Sequence, residues 1–258
     1  MATRTAVAVS LAQIAKVIDH SLLHPAMTDK EILAGLEIAK RNKVAAACVK
    51  PYSISAARDV LDGSGVLICA VVGFPHGNST TAIKVLEAED AVKTGAHEID
   101  MVANIGKVLG GDWEYVTNEI RAVNDTVVKH GAILKLIFEN DFLQDEHVAH
   151  LCKICTALTV AFIKTSTGFG FVKQPNGSYT SKGATVPRLR LMKANIGPNV
   201  QIKAAGGIRT LDEVMGAISL GITRIGTSAT AAIIDEAIRR GINNPPGFAL
   251  VSPVDSHG

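Results

Sequence analysis

From residue 18 to residue 240, short apolar runs rich in β-branched residues alternate with longer stretches of helical period. The runs predict strands over 18–22, 44–49, 66–72, 98–102, 133–139, 159–164, 200–203 and 223–225. The stretches between and after them predict helices over 29–42, 53–61, 80–94, 113–130, 145–156, 186–195, 211–219 and 229–240. Each strand is thus followed by its own helix, the pattern of repeated βα units on a parallel sheet. Continuous apolar strands such as 66–72 suit a sheet covered on both faces. A doubly wound open sheet competes, but eight units without a break in order favour closure, and the expectation is an α/β fold, a single (β/α)8 TIM barrel over residues 1–258. Residues 1–17 read as a leading helix and 241–258, with Pro245, Pro246 and Pro253, as an irregular tail.

Composition narrows the partners. A chain of 258 residues with 47% hydrophobic and 4% aromatic content fills one aliphatic core, and no linker-like stretch divides it. The formal charge of +2, with both signs interspersed, offers no basic stripe for a nucleic-acid backbone, so small molecules are the expected partners. Cys48, Cys69, Cys152 and Cys155 lack a disulfide-framework spacing, which fits a reducing cytoplasm. The start of the chain only faintly resembles a secretion signal, because Gln13 and Lys16 interrupt it. The longest apolar run, 66–74, is too short for a membrane-spanning helix. Barrels commonly pair as homodimers, although no interface is legible in one sequence.

Chemistry enters where polar residues close apolar strands, because closure gathers the C-terminal strand ends at one mouth. Asp19, Cys48, Asp100, Glu139, Lys164 and Lys203 all lie within or at the ends of such strands. Lys164 and Lys203 fall on successive strands, which lie about 4.8 Å apart when paired. Two adjacent cations in a desolvated site disfavour each other's charge, and a neutral lysine can attack a carbonyl to give an iminium. Either lysine alone reads first as a strand-end residue that snorkels to water, and it is the pair that favours the chemical reading. Glu98 and Asp100 share one strand face, where a carboxylate relays a proton or simply forms a salt bridge. Ala205-Gly206-Gly207 and Gly226-Thr227-Ser228 present backbone N–H groups after the last two strands, the usual phosphate grip of this barrel.

These residues resemble the deoxyribose-phosphate aldolases from about Ile18 to about Arg240. Lys164 to Gly168 (KTSTG) resembles the family's Schiff-base strand, Lys203 to Arg209 (KAAGGIR) its second-lysine segment, and Glu98 to Gly106 (EIDMVANIG) the segment carrying its proton-relay aspartate. IDHSL from Ile18, CVKP from Cys48, GFP from Gly73 and RIGTS from Arg224 are similar to further family segments. The resemblance implies an imine on Lys164, a pKa-lowering role for Lys203 and proton transfer through water by Asp100. It implies that Asp19, Cys48 and Thr167 line the substrate site, and that Gly168, Gly206, Gly207, Gly226 and Ser228 hold phosphate. The implied reaction joins acetaldehyde to D-glyceraldehyde 3-phosphate, reversibly, giving 2-deoxy-D-ribose 5-phosphate without cofactor or metal.

The chain departs from that pattern in two places. Residues 169–182 form a longer excursion than expected, read as a solvated insertion or as a hairpin leaning over the phosphate. The tyrosines are Tyr52, Tyr115 and Tyr179, so a C-terminal phenol assisting proton exchange is not expected. His147, His150, Cys152 and Cys155 share one helix but match no standard zinc spacing, and no metal is assigned to them. His76 is a loop residue without an assigned role, and Lys135 and Glu139, on one strand face, are expected to pair inside the barrel. Other donor specificities on the same scaffold, a phosphate-gripping isomerase that needs no imine, and a silent binding barrel are the competing readings.

Overall fold

The computed structural model describes the backbone of residues 5–243 and 247–251, and the side chains of residues 9–243. The chain runs β1 (Thr5–Val9), α1 (Leu11–Lys16), β2 (Ile18–Leu22), α2 (Asp29–Asn42), β3 (Ala46–Val49), α3 (Ile54–Leu61), β4 (Leu67–Val72), α4 (Thr81–Thr94) and β5 (Glu98–Val102). It continues through α5 (Ile105–Leu109), α6 (Trp113–Lys129), β6 (Ile133–Ile137), α7 (Asp145–Ala157), β7 (Phe162–Lys164), β8 (Val172–Lys173), β9 (Tyr179–Thr180) and α8 (Val186–Asn195). The last elements are β10 (Gln201–Ala205), α9 (Leu211–Ser219), β11 (Arg224–Thr227), α10 (Thr230–Arg239) and β12 (Gly247–Val251).

Eight of these strands close a parallel barrel in the order β10-β11-β2-β3-β4-β5-β6-β7, with β7 pairing back to β10. All eight expected barrel strands are present in their expected sequence, and local chemistry explains where the ends move. β6 stops at Ile137 because Glu139 sits in the left-handed region at φ 59°, which no strand continues through. β7 begins at Phe162, after Thr159 at φ 51°. The helices start where the sequence supplies side-chain acceptors: Thr28 with Glu31 on α2 and Thr210 with Glu213 on α9 form reciprocal caps.

The ends of the chain correct the sequence expectation. The leading helix over 1–17 is instead strand β1 followed by the short helix α1, and the tail over 241–258 carries strand β12. These two strands pair antiparallel, Thr5 opposite Val251, apart from the barrel. Residues 1–4, 244–246 and 252–258 of those segments lie outside the described residues. The excursion over 169–182 folds as a hairpin, β8 pairing antiparallel with β9.

Alternation along the barrel strands separates two environments. Ile68, Ala70, Ile99, Met101, Leu134, Leu136, Ile163, Ile202 and Ile225 belong to one aliphatic core shared with the surrounding helices. Their neighbours in sequence point inwards, where the lumen holds Asp19, Glu98, Asp100, Lys135 and Lys203, all buried. A small apolar cluster of Leu23, Ala46, Cys48, Cys69 and Val71 fills the rest of that side. Among the described residues no helix is long and apolar enough to cross a membrane.

Candidate active site

Strand register brings the polar residues together. β7 and β10 pair with Lys164 opposite Lys203, and β5 and β6 pair with Asp100 opposite Lys135. Both Lys164 Nζ, at 2.8 Å, and Lys203 Nζ, at 2.7 Å, lie on the same Asp100 oxygen, Oδ2. The two amines are therefore no farther apart than those two bonds laid end to end, as the sequence pattern requires. Lys203 also reaches Asp19 Oδ2 at 2.5 Å. Lys135 Nζ touches Glu98 Oε2 at 2.6 Å, Asp19 Oδ2 at 3.1 Å and Asp100 Oδ1 at 3.2 Å. Arg224 closes the network, with Nη1 at 2.7 Å from Asp19 and 2.9 Å from Glu98.

A buried charge is tolerated only when it is paired, and here the pairing decides the protonation states. Burial alone would raise the Asp100 carboxyl, but Lys135, Lys164 and Lys203 more than offset it and hold Asp100 well below the ordinary carboxylate range. Asp19 is likewise depressed: burial works against the charge, and Lys135, Lys203 and Arg224 outweigh it. Lys203 and Lys135 shift upwards for the converse reason, since Asp100 and Asp19 overcome the desolvation of their ammonium groups. Two donor sets, Cys48–Cys69–Asp100 and Asp19–Cys69–Glu98, are compact enough for a metal ion. The Lys135 ammonium already stands there, 3.3 Å from Cys69 Sγ and 2.6 Å from Glu98, and fills the space as a cation.

Above this network opens a cavity of about 800 Å³. Lys164 lines it, while Asp100 and Lys203 lie beneath. Thr167, Gly168, Gly206, Gly207, Gly226 and Ser228 also line it, as expected for one site. Asp19 and Cys48 do not. Both are fully buried, Asp19 tied to Lys203, Lys135 and Arg224, and Cys48 against Cys69 and Asp100. Their inward strand positions set them one layer deeper than the mouth, so they support the amine network rather than meet the cavity.

Other expectations are corrected by geometry. Lys135 does not pair with Glu139. The left-handed turn at Glu139 swings its carboxylate out of the strand line to accept the Thr167 N–H at 3.1 Å and the Thr167 hydroxyl. Burial raises the Glu139 carboxyl above its ordinary range. His147 and His150 flank Trp113, with His150 stacked on it at 4.0 Å, while Cys152 and Cys155 are buried in α7. Sequence reasoning missed Glu98 and Arg224 as a bidentate ion pair, and the contact of Cys69 Sγ with Asp100 Oδ1 at 3.1 Å. Only the shared inward parity of Glu98 and Asp100 hinted at the first. His20, at the cavity edge, is held neutral by burial, which lowers it to about 4, and its Nδ1 lies 2.8 Å from Thr230 Oγ1 on α10.

Comparison with known proteins bears on family and fold. The model of a family described as DeoC/LacD family aldolase matches residues 13–232. A deoxyribose-phosphate aldolase of Rhodopirellula baltica is 45% identical over 224 residues, 87% of this chain and 89% of that protein. One of Treponema denticola is 40% identical over 222 residues, 86% of this chain and 98% of that protein. The solved structure of a tetrameric deoxyribose phosphate aldolase from Aeropyrum pernix superposes with a TM-score of 0.78 at 26% identity, covering 89% of this chain and 92% of that one.

Proposed function

The chain belongs to the DeoC/LacD family of aldolases, and from that premise we infer that it reversibly cleaves 2-deoxy-D-ribose 5-phosphate to acetaldehyde and D-glyceraldehyde 3-phosphate through a Schiff base on Lys164. One observation carries the reading: Lys164 and Lys203 share Asp100 Oδ2 at the base of a cavity that also meets Gly206, Gly207, Gly226 and Ser228. An isomerase would use the glycine loops but has no need of a second lysine and a carboxylate around one amine that borders the cavity.

In the cleavage direction the Lys164 amine adds to the open-chain aldehyde carbon and expels water, forming an iminium. The iminium accepts the electron pair of the bond between the second and third carbons. That bond breaks as the hydroxyl on the third carbon loses its proton, and D-glyceraldehyde 3-phosphate departs. The remaining enamine is protonated on carbon and hydrolysed, which releases acetaldehyde and restores the amine. Asp100, 2.8 Å from the amine, moves protons through one water molecule and offsets the iminium charge.

Three carboxylates, Asp19, Glu98 and Asp100, face three cations, Lys135, Lys203 and Arg224. Lys164 is the fourth basic group around these carboxylates, 2.8 Å from Asp100 Oδ2, and of the four it is the one that borders the cavity. The glycine turns supply N–H donors to the phosphate, and Thr167 and Gly168 border the sugar. Four free, buried cysteines suit a reducing cytoplasm.

Borohydride reduction in the presence of acetaldehyde tests this directly. We expect a two-carbon adduct on Lys164 in the peptide mass map; folded protein without the adduct excludes the reading. In Lys164→Leu the adduct disappears and cleavage falls on the order of 10⁴-fold or more with the fold intact.

A further inference from the structure

The turn that follows β6 touches neither the cavity nor the lysines, yet it holds both ends of the 169–182 excursion. Asn140–Phe142 form a single 3₁₀ turn, and the carboxylates on either side of Asn140 face opposite ends of the neighbouring loop. At the entry, Glu139 accepts the Thr167 N–H and hydroxyl, and Asn140 N–H donates to Thr165 O at 2.9 Å. A Cβ on Gly170 would lie 2.6 Å from the Glu139 carboxyl carbon, so the loop passes as close as a chain can. At the exit, Asp141 Oδ1 accepts Lys182 N–H at 2.5 Å, and Oδ2 accepts Gly183 N–H at 3.0 Å and the Ser181 hydroxyl at 3.3 Å.

The exit is in turn pressed onto the glycine turn after β10. Ala184 N–H donates to Gly206 O at 3.0 Å. A Cβ on Gly183 would stand 2.3 Å from that same oxygen, and one on Gly206 would stand 2.9 Å from Gly183 Cα. Gly183 itself is at φ 63°, in the region glycine favours. Backbone thus rests on backbone, with no side chain between to absorb a shift.

The geometry points to Asp141 as a positioning residue for phosphate recognition: by fixing Ser181–Gly183 it fixes the placement of Gly206 and Gly207, and hence the affinity for the phosphorylated end of the substrate. The inference rests on the aldolase reading and on the glycine turns as the phosphate grip. Asp141 touches no reacting atom, and its effect is separable from that of Lys164. The entry, held by Glu139, serves the Lys164 side of the site; the exit, held by Asp141, serves the phosphate side.

The test compares cleavage of 2-deoxy-D-ribose 5-phosphate with cleavage of unphosphorylated 2-deoxy-D-ribose. In Asp141→Ala we expect the ratio of the two kcat/KM values to fall about tenfold, through KM for the phosphorylated substrate. Both kcat values and the acetaldehyde–borohydride adduct on Lys164 should stay as in the native protein. A ratio left unchanged overturns the inference, and so does a parallel loss on both substrates or loss of the adduct, which would mark a general structural role. A native protein that forms the adduct but shows no preference for the phosphorylated substrate overturns the phosphate grip and this inference together, while leaving the Schiff base standing. If Asp141→Ala does not fold, Asp141→Asn, which keeps one acceptor of the same shape, must lower the ratio by a smaller factor; no change in it is equally fatal.

Discussion

Ile99 and Asp100 are consecutive in the chain and inhabit different physical worlds. Ile99 faces the helices and is buried among aliphatic side chains, each contributing about 1.5–3 kcal/mol by leaving water. Asp100 faces the lumen and is buried among Lys135, Lys164 and Lys203, where stability depends on every charge meeting its opposite. The outer side of the barrel tolerates any residue of suitable volume, because area and packing are all it needs. The inner side tolerates almost none, because removing one member strands the others. Fold and chemistry are therefore carried by alternate residues of the same strands.

Substitutions at adjacent positions pull the two apart. Asp100→Asn has the largest expected effect: it leaves Lys203 and Lys135 short of a partner, costs about 3–5 kcal/mol of stability, and slows cleavage by about 10²- to 10⁴-fold. Chemical denaturation and steady-state kinetics read the two losses separately, and a variant that is as stable as the native protein would break the comparison. Ile99→Ala should cost about 2–5 kcal/mol through the lost transfer energy and the cavity, yet leave kcat within about threefold. A large fall in kcat there would show that the outer side does shape the chemistry.

The smallest effect separates the two sides by pH. His20 belongs to the outer side through Thr230 on α10 and titrates at about 4 when folded, below its ordinary value of 6.5. The unfolded chain then binds a proton that the folded one refuses. Stability contributed by neutral His20 is whole above pH 6.5 and declines as pH falls towards 4, by about 3 kcal/mol. Asp19 and Asp100 are depressed when folded, so their contribution is whole above the ordinary carboxylate value of 3.8 and is lost only below it. Denaturation midpoints between pH 7 and pH 4 should therefore fall in the native protein and flatten in His20→Asn. An unaltered slope would assign the acid sensitivity elsewhere.

The outer pattern was legible because it is periodic. Runs such as 66–72 and 98–102 announce themselves locally, and the barrel followed from their repetition. Lys164, Lys203 and Asp100 were legible because they interrupt apolar strands near their ends. The lumen's remaining members were not, because their meaning lies in partners far along the chain: Arg224 meets Glu98 across 126 positions and Lys135 meets Asp19 across 116. The family resemblance implied that Asp19 and Cys48 line the substrate site, but depth along the lumen, which sequence does not encode, puts them below the cavity. The 1–17 segment misled because its apolar run at 5–9 satisfies a strand as well as a helix, and the deciding partner, β12, comes more than 230 residues later.

Lys135, Lys164 and Lys203 carry the same functional group, and any aldehyde in solution reacts with all such amines in principle. The barrel ranks them by depth: two are walled off beneath carboxylates and one reaches the open space. Of these three, an electrophile entering the cavity is thus offered one. Selectivity of this kind belongs to no single side chain; it is a property of where a closed sheet ends and its mouth begins.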